Sequence, residues 1–251
     1  MTTAPSASPT APRGASPGAA VPLTAATPRP YVLGALDADQ RRRARAWLWL
    51  ALAALVGSGL FSVLLVLART PGINRWLPAG DFFRVALVVH VDLSVLVWFT
   101  AMAGMLWSVH QRARAVPLAP WLAGLPLGLC SLGAVGMALA AFVDPGTPVM
   151  ANYIPVLDSP LFLAALAVFG AGALALVLAS LAWPRPVGPA PDGAAALRFG
   201  LHASVVAAAV ALLAFGWSLA VVPRELPPKA WYEIVWWGGG HALQFTWTLL
   251  M

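Results

Sequence analysis

Residues 236–245 read WWGGGHALQF and lie in an apolar segment that runs to Met251. This segment decides the class of fold, because it places the imidazole of His241 among side chains that favour lipid. A histidine in a membrane segment is costly unless it is bound to something, so it marks a functional site by default. The three preceding glycines remove side-chain bulk, so a large flat group can approach the backbone. We therefore predict a ligand site at His241, with a metal as the natural ligand of a neutral imidazole.

The composition of the whole chain indicates an integral membrane protein. Of its 251 residues, 60% are hydrophobic and 10% are charged, and the mean hydropathy is +0.80; soluble domains carry about 25% charged residues. The apolar runs are too long for barrel strands, so we predict an all-α fold, a polytopic membrane bundle of six transmembrane helices. The formal charge of +6 lies in arginine clusters beside these runs. That pattern is typical of topology signals, and no nucleic-acid partner is expected.

Breaker residues and charges divide the chain into a tail and a membrane domain. Residues 1–35 are rich in Pro, Ala and Ser and have little to bury, so we expect a disordered tail. Residues 36–251 are expected to form the transmembrane domain. Its six apolar runs lie at residues 46–67, 82–109, 121–143, 161–183, 199–222 and from 231 to the end. The last run reaches Met251 without a polar cap, so we expect the chain to be truncated within its sixth helix.

The distribution of positive charge predicts a cytoplasmic N-terminus. With that orientation, ten of the 15 Lys and Arg residues fall on the inner side, as the positive-inside rule requires. The loop at residues 144–160 contains no Lys or Arg and falls outside. We therefore expect a bacterial inner (plasma) membrane protein whose residues 1–35 face the cytoplasm.

A second histidine, His90, lies in the second apolar run. It follows Phe82 by eight residues, which is about 12 Å along a helix, and His241 follows Trp231 by ten residues, about 15 Å. Both runs are predicted to cross from outside to inside, so the two imidazoles are expected at similar depths. This arrangement indicates two metal or haem ligands in one layer of the bilayer. The alternative for each histidine is a hydrogen bond to a neighbouring helix.

Two polar residues close to these histidines have both a functional and a structural interpretation. Asp92 lies about 200° around the helix from His90. It could orient a ligand or take part in a proton path, or it could pair with a nearby arginine or hydroxyl group. Gln244 shares the helix face of His241 and could bind in the same pocket or to a neighbouring helix.

Basic residues at the predicted ends of the spans are interpreted more simply. Arg84 and Arg224 on the outer side could neutralise haem propionates or bind lipid headgroups. His110 and His202 lie at predicted cytoplasmic ends, where we expect structural, interfacial roles.

The residues around the two histidines resemble subunit I of the haem–copper oxidases. Residues 236–241 resemble the Trp-x-x-Gly-His motif of that family's sixth helix, whose histidine is a copper ligand. Residues 82–94, which read FFRVALVVHVDLS, resemble the start of its second helix, whose histidine is an axial ligand of the low-spin haem. The resemblance covers about residues 40–251. It implies that His90 is an axial ligand of low-spin haem iron and that His241 is a copper ligand.

Two features depart from the commonest members of this family. In those oxygen reductases a tyrosine follows the copper histidine by four residues, and here that position is Phe245. The chain therefore resembles more closely the C-type oxidases, which place the tyrosine on another helix, or the nitric oxide reductases, which lack it. Family members have roughly twelve helices, and the later ones carry the remaining copper and haem ligands. The chain resembles the first six, and we do not expect it to turn over alone.

The resemblance implies the catalytic subunit of a terminal respiratory oxidase, an oxidoreductase of aerobic respiration. Electrons from cytochrome c or a quinol would pass through a low-spin haem to a centre of high-spin haem and copper, where oxygen is reduced to water. Other oxidase subunits and the lipid bilayer are the expected partners. The alternatives are a nitric oxide reductase of the same superfamily, a proton-coupled transporter that uses His90, Asp92 and His241, and a non-catalytic subunit in which the histidines only pack.

Overall fold

The computed structural model describes residues 36–77, 80–111, 120–188 and 193–251. The predicted disordered tail at residues 1–35 lies outside the described residues. Within them, the chain is mostly helical, as its composition predicts. The long helices are α1 Ala38–Arg69, α2 Phe82–His110, α3 Pro120–Val143, α4 Pro160–Ala182, α5 Gly193–Val221 and α6 Pro228–Leu250. A short 3₁₀ helix, Asn74–Trp76, follows α1.

Five helices of the described residues, α1 to α5, are long and apolar enough to cross a membrane. The chain is therefore an integral membrane protein. With its 23 residues, α6 is also long enough, but it is not among the five. The sequence of α6 contains three consecutive glycines, His241 and Gln244. These residues are less apolar than aliphatic ones and lower the mean hydropathy of α6. Length and composition thus support five of the six predicted crossings.

A capping box and a proline mark where α1 and α6 begin. The first helix starts at Ala38, before the predicted residue 46, because Asp37 and Gln40 form a capping box. The Asp37 carboxylate accepts from the Gln40 N–H at 2.7 Å, and the Gln40 side-chain oxygen accepts from the Asp37 N–H at 3.1 Å. The sixth helix starts at Pro228, before the predicted Trp231, because proline suits the first helical position.

The second helix, α2, is the central helix of the bundle and contacts each of the other five long helices. Val85, Val88 and Val97 on this helix are buried. A π-helical turn, Asp92–Val97, interrupts its winding between the α-helical segments Phe82–Val91 and Trp98–His110. Such turns are rare in proteins, and many of those that are found lie at functional sites.

The loop between α3 and α4 contains two short strands, a feature that the all-α prediction missed. β1 Thr147–Val149 pairs antiparallel with β2 Val156–Asp158, and Val149 lies opposite Val156. Both strands contact α2, and both of these valines are buried. The strands therefore hold the loop against the bundle, and the segment between them reaches α6.

Consecutive helices pack in pairs, α1 with α2, α3 with α4 and α5 with α6. Glycines allow the α3–α4 pair to approach closely, as is common between membrane helices. A Cβ atom at Gly133 would lie 2.6 Å from the Ala165 carbonyl oxygen, and one at Gly172 would lie 2.7 Å from the Cys130 backbone nitrogen. Between α2, α4, α5 and α6 lies an apolar cavity of about 530 Å³, whose lining includes Trp107, Phe169, Phe215, Trp236 and Trp247.

Candidate functional site

His90, on α2, is held by α1 through one of its ring nitrogens. Its Nδ1 lies 3.0 Å from the carbonyl oxygen of Ser58, 2.9 Å from Ser58 Oγ and 3.1 Å from Ser62 Oγ. A carbonyl oxygen can only accept, so this contact places the ring proton on Nδ1. Nε2 then carries the lone pair, and it has no hydrogen-bond partner among the described residues. Histidines that bind metals usually have one nitrogen fixed to an acceptor in this way and the other on the metal.

Two serines of α1 reach His90 because they lie one helical turn apart, on the face that meets α2. The Ser58 hydroxyl donates to the His90 carbonyl oxygen at 3.1 Å, which leaves its lone pairs for the ring N–H. Ser58 is buried, whereas the His90 residue is half-buried. The side of the imidazole that faces α1 is therefore fixed, and the residue remains partly open to a ligand.

His241, on α6, is contacted by Tyr153 from the loop between α3 and α4. The Tyr153 hydroxyl lies 2.7 Å from Nδ1 and 3.0 Å from Nε2, and Nδ1 also lies 3.0 Å from the carbonyl oxygen of Trp237. The centroids of the Tyr153 and His241 rings are 5.0 Å apart. His241 is exposed, but a partner within the chain approaches both of its nitrogens.

Two of the three glycines before His241 are covered by aromatic rings of the same chain. A Cβ atom at Gly240 would overlap the Tyr153 ring, and one at Gly239 would overlap the Phe215 ring, whereas Gly238 has nothing within 4 Å. Aromatic side chains of this protein therefore occupy the space beside two of the three glycines, and the approach of a bound group stays a prediction.

Sequence reasoning missed Tyr153, because its contact with His241 joins residues that are 88 positions apart. Its backbone φ is 69°, and among the described residues it is the one non-glycine residue with a positive φ. Such a backbone is uncommon and is often found at functional sites. The Asn152 N–H donates to the Glu233 carboxylate on α6 at 3.1 Å. This second contact holds the loop beside His241.

Asp92 begins the π-helical turn and is only 1% exposed. Neither of its carboxylate oxygens has a hydrogen-bond partner among the described residues, so the predicted pairing with an arginine or hydroxyl group is not seen there. A buried polar group without a partner is rare and needs a physical explanation. The pairing of a buried acid with a π-helical turn, in a membrane span, makes Asp92 a candidate functional residue.

Three of the other polar candidates, Gln244, Arg84 and Arg224, lie at exposed positions. Gln244 is exposed, and so is Phe245, with 68% of its surface accessible. Arg84 pairs with Asp81 at 3.3 Å between Nε and Oδ2, and Arg224 is exposed.

His90 and His241 are held by different parts of the chain. Their hydrogen-bond partners are different, and within the described part of the chain no three His, Cys, Asp or Glu side chains are grouped as a metal site. Because α6 begins at Pro228, the distance of His241 from its helix start becomes about 20 Å, against about 12 Å for His90. Equal depth in the bilayer stays a prediction.

Comparisons with known proteins give relatives without an assigned activity. The chain is 25% identical over 240 residues to an uncharacterised protein of Rickettsia prowazekii, a match that covers 83% of this chain and 45% of that protein. It is 26% identical over 201 residues to an uncharacterised protein of Aquifex aeolicus, covering 79% of this chain and 49% of that protein. The chain thus spans about half the length of these curated relatives. No family profile matches it, and no solved structure matches it significantly.

Proposed function

We propose that this chain forms the first six helices of the catalytic subunit of a haem–copper terminal oxidase. The observation that carries the proposal is the state of His90, whose Nδ1 contacts the Ser58 carbonyl oxygen and whose Nε2 has no hydrogen-bond partner among the described residues. Support also comes from the resemblance of residues 82–94 and 236–241 to that family's motifs. The two relatives are about twice as long as the region matched to this chain, as expected for proteins of roughly twelve helices.

In this proposal His90 would hold the low-spin haem iron through Nε2, and α1 would orient the ring. The Ser58 carbonyl oxygen would accept from Nδ1–H, and the Ser58 and Ser62 hydroxyls beside it would limit rotation of the imidazole. The ligand nitrogen would then stay directed to one side. When bound, the low-spin haem, the high-spin haem and copper would supply electron transfer and the reduction of oxygen to water. Cytochrome c or a quinol would be the electron donor, and other oxidase subunits would be partners.

His241 would be one of the copper ligands, and the Tyr153 hydroxyl lies beside its ligand nitrogen. If Nδ1–H donates to the Trp237 carbonyl oxygen, Nε2 is the nitrogen left for a metal. The Tyr153 hydroxyl, 3.0 Å from Nε2, then competes with the metal for that lone pair. One imidazole is not a complete copper site, so the remaining ligands would come from other parts of the whole protein.

Haem and copper analysis of the purified full-length protein tests this assignment. We expect His90→Ala to lose low-spin haem while retaining copper, and His241→Ala to lose copper. Ser94→Ala and Gln244→Ala are matched controls on the same helices and should retain both groups. A folded wild-type protein that contains neither haem nor copper would contradict the proposal.

Phe245 favours a nitric oxide reductase of the same superfamily as an alternative. It occupies the position of the family's active-site tyrosine, and it cannot supply a phenol. Parallel assays of oxygen and nitric oxide consumption by the full-length protein distinguish the two substrates. Consumption of nitric oxide with no consumption of oxygen would select the reductase.

Asp92 favours a second kind of function, a proton-coupled transporter. A buried acid in a membrane span is a common element of proton paths, and this one lies in a π-helical turn. A transporter would show proton movement across liposomes that Asp92→Asn abolishes, in a preparation without visible haem absorbance. Haem absorbance in the same preparation would instead favour the oxidase.

A further inference from the structure

Four basic side chains lie near one another where α2, α4 and α5 end or begin. His110 ends α2 and Arg185 follows α4, while Arg198 and His202 lie one turn apart on the same face of α5. Gln111 pairs with Pro184 in an isolated antiparallel β-bridge, which places Arg185 beside the end of α2. The Trp107 ring N–H donates to Ser204 Oγ at 2.9 Å, which brings the start of α5 to the same place. We call these four residues the basic cluster.

A network of side-chain hydrogen bonds holds the helices around the basic cluster. Gln40 Nε2 on α1 donates to the Gln111 carbonyl oxygen at 2.7 Å, and Gln111 Nε2 donates to Ser180 Oγ on α4 at 3.2 Å. Trp107 Nε1 on α2 donates to Ser204 Oγ on α5 at 2.9 Å. These bonds join four helices, so the basic cluster is built on a fixed framework.

In the described part of the chain, the basic cluster contains imidazole nitrogens without a hydrogen bond and guanidinium groups without an ion pair. His110 is 4% exposed, and its Nε2 atom is buried without a hydrogen bond, as is Nδ1 of His202. Arg198 donates to the Val187 carbonyl oxygen at 3.0 Å, but no ion pair between described residues includes Arg185 or Arg198. Buried polar atoms are nearly always hydrogen-bonded, so these atoms indicate a bound group with acceptor oxygens and negative charge.

We propose that the basic cluster binds the phosphate group of an anionic phospholipid. A phosphate has several acceptor oxygens, which suit two guanidinium groups and imidazole N–H donors. His110 is the last residue of a membrane-spanning helix, so the cluster lies at the level where lipid headgroups are found. Basic pockets between transmembrane helices on the cytoplasmic side bind anionic headgroups. In the proposed orientation the cluster is on that side, and its role does not depend on haem or copper.

Native mass spectrometry of the purified full-length protein measures this binding, with phosphatidylglycerol and phosphatidylcholine of equal chain length as probes. We expect the wild type to retain phosphatidylglycerol selectively. Arg185→Gln and Arg198→Gln should each weaken that binding about fivefold, and Arg198→Lys should keep most of it because the charge remains. Arg75→Gln is the matched control, since Arg75 lies in the 3₁₀ helix Asn74–Trp76, on the predicted outer side; its lipid retention should equal that of the wild type.

Competition with inorganic phosphate shows whether the basic cluster binds a lipid headgroup or a free phosphate ion. Phosphatidylglycerol should raise the melting temperature of the wild-type protein. Millimolar phosphate should neither displace this lipid nor raise the melting temperature. If it does both, the ligand is free phosphate and the lipid proposal is overturned. Equal retention of the two lipids by the wild type, or equal losses in Arg75→Gln and Arg185→Gln, would also overturn it. The comparison of phosphatidylglycerol with phosphatidylcholine uses only the wild-type protein. It therefore tests the proposal even if a variant fails to fold.

Discussion

At the scale of single residues, His90 and His241 differ in how the protein holds them. His90 is fixed from one side by α1, and its Nε2 has no partner in the described residues, whereas the Tyr153 hydroxyl approaches both nitrogens of His241. The first arrangement favours permanent ligation of a metal. The arrangement at His241 favours a ligand nitrogen that becomes accessible only when Tyr153 moves. Variants of the neighbours should therefore have different effects at the two sites.

The double variant Ser58→Ala, Ser62→Ala tests whether α1 orients His90. It removes both hydroxyl contacts of Nδ1 but leaves the Ser58 carbonyl oxygen as an acceptor for the N–H, so the free energy of unfolding should fall by about 1 kcal/mol or less. We expect haem to be retained, with a shifted midpoint potential in a redox titration. Ser94→Ala is the control, because its hydroxyl donates to the His90 and Val91 carbonyl oxygens. An identical titration for the double variant and the wild type would show that the serines do not tune the ligand.

Gly240 and Gly238 form a matched pair for testing the contact with Tyr153. Gly240→Ala should lower the free energy of unfolding by about 1–3 kcal/mol, because the new methyl group overlaps the Tyr153 ring and forces a shift. Gly238→Ala meets open space and should be neutral or stabilise the helix by up to about 1 kcal/mol. Denaturant unfolding of the purified protein measures both. Equal effects of the two substitutions would mean that Tyr153 does not pack on α6.

At the scale of helices, close contacts at glycine determine how α3 and α4 pack. Gly133→Ala would bring a methyl group against the Ala165 carbonyl oxygen and the Phe169 backbone, which cannot move without displacing α4. We expect a loss of about 1–3 kcal/mol in the free energy of unfolding. Gly170→Ala is the control on α4, since nothing lies within 4 Å of Gly170. If both variants unfold at the same denaturant concentration, the observed packing of the pair is contradicted.

The helix positions could be predicted from the sequence, but contacts between distant residues could not. Each helix was located because an apolar run identifies the part that lipid surrounds. The start of α1 was missed because the Asp37–Gln40 capping box extends the helix into a polar, arginine-rich turn. β1, β2 and the Tyr153 contact were missed because they depend on contacts between residues far apart in the chain. His90 and His241 could be singled out, since a histidine stands out in an apolar run, but their partners could not.

At the scale of the whole molecule, the number of crossings decides where α6 ends. With a cytoplasmic N-terminus, six crossings place the end of α6 in the cytoplasm and five place it outside. We expect a reporter that is active only in the cytoplasm to be active when fused after Met251. Fusions after Val187 and after Gly146 are the controls for the inner and outer sides. Activity after Val187 but not after Met251 would show that α6 does not cross.

The central claim is that His90 is an axial ligand of a low-spin haem. A reduced-minus-oxidised visible spectrum of membranes that contain the full-length protein tests it most directly, with wild type, His90→Ala and Ser94→Ala compared at equal protein content. The account predicts a low-spin haem band in the wild type and in Ser94→Ala that is lost in His90→Ala. An inserted wild-type protein without a haem band, or an undiminished band in His90→Ala, would contradict it.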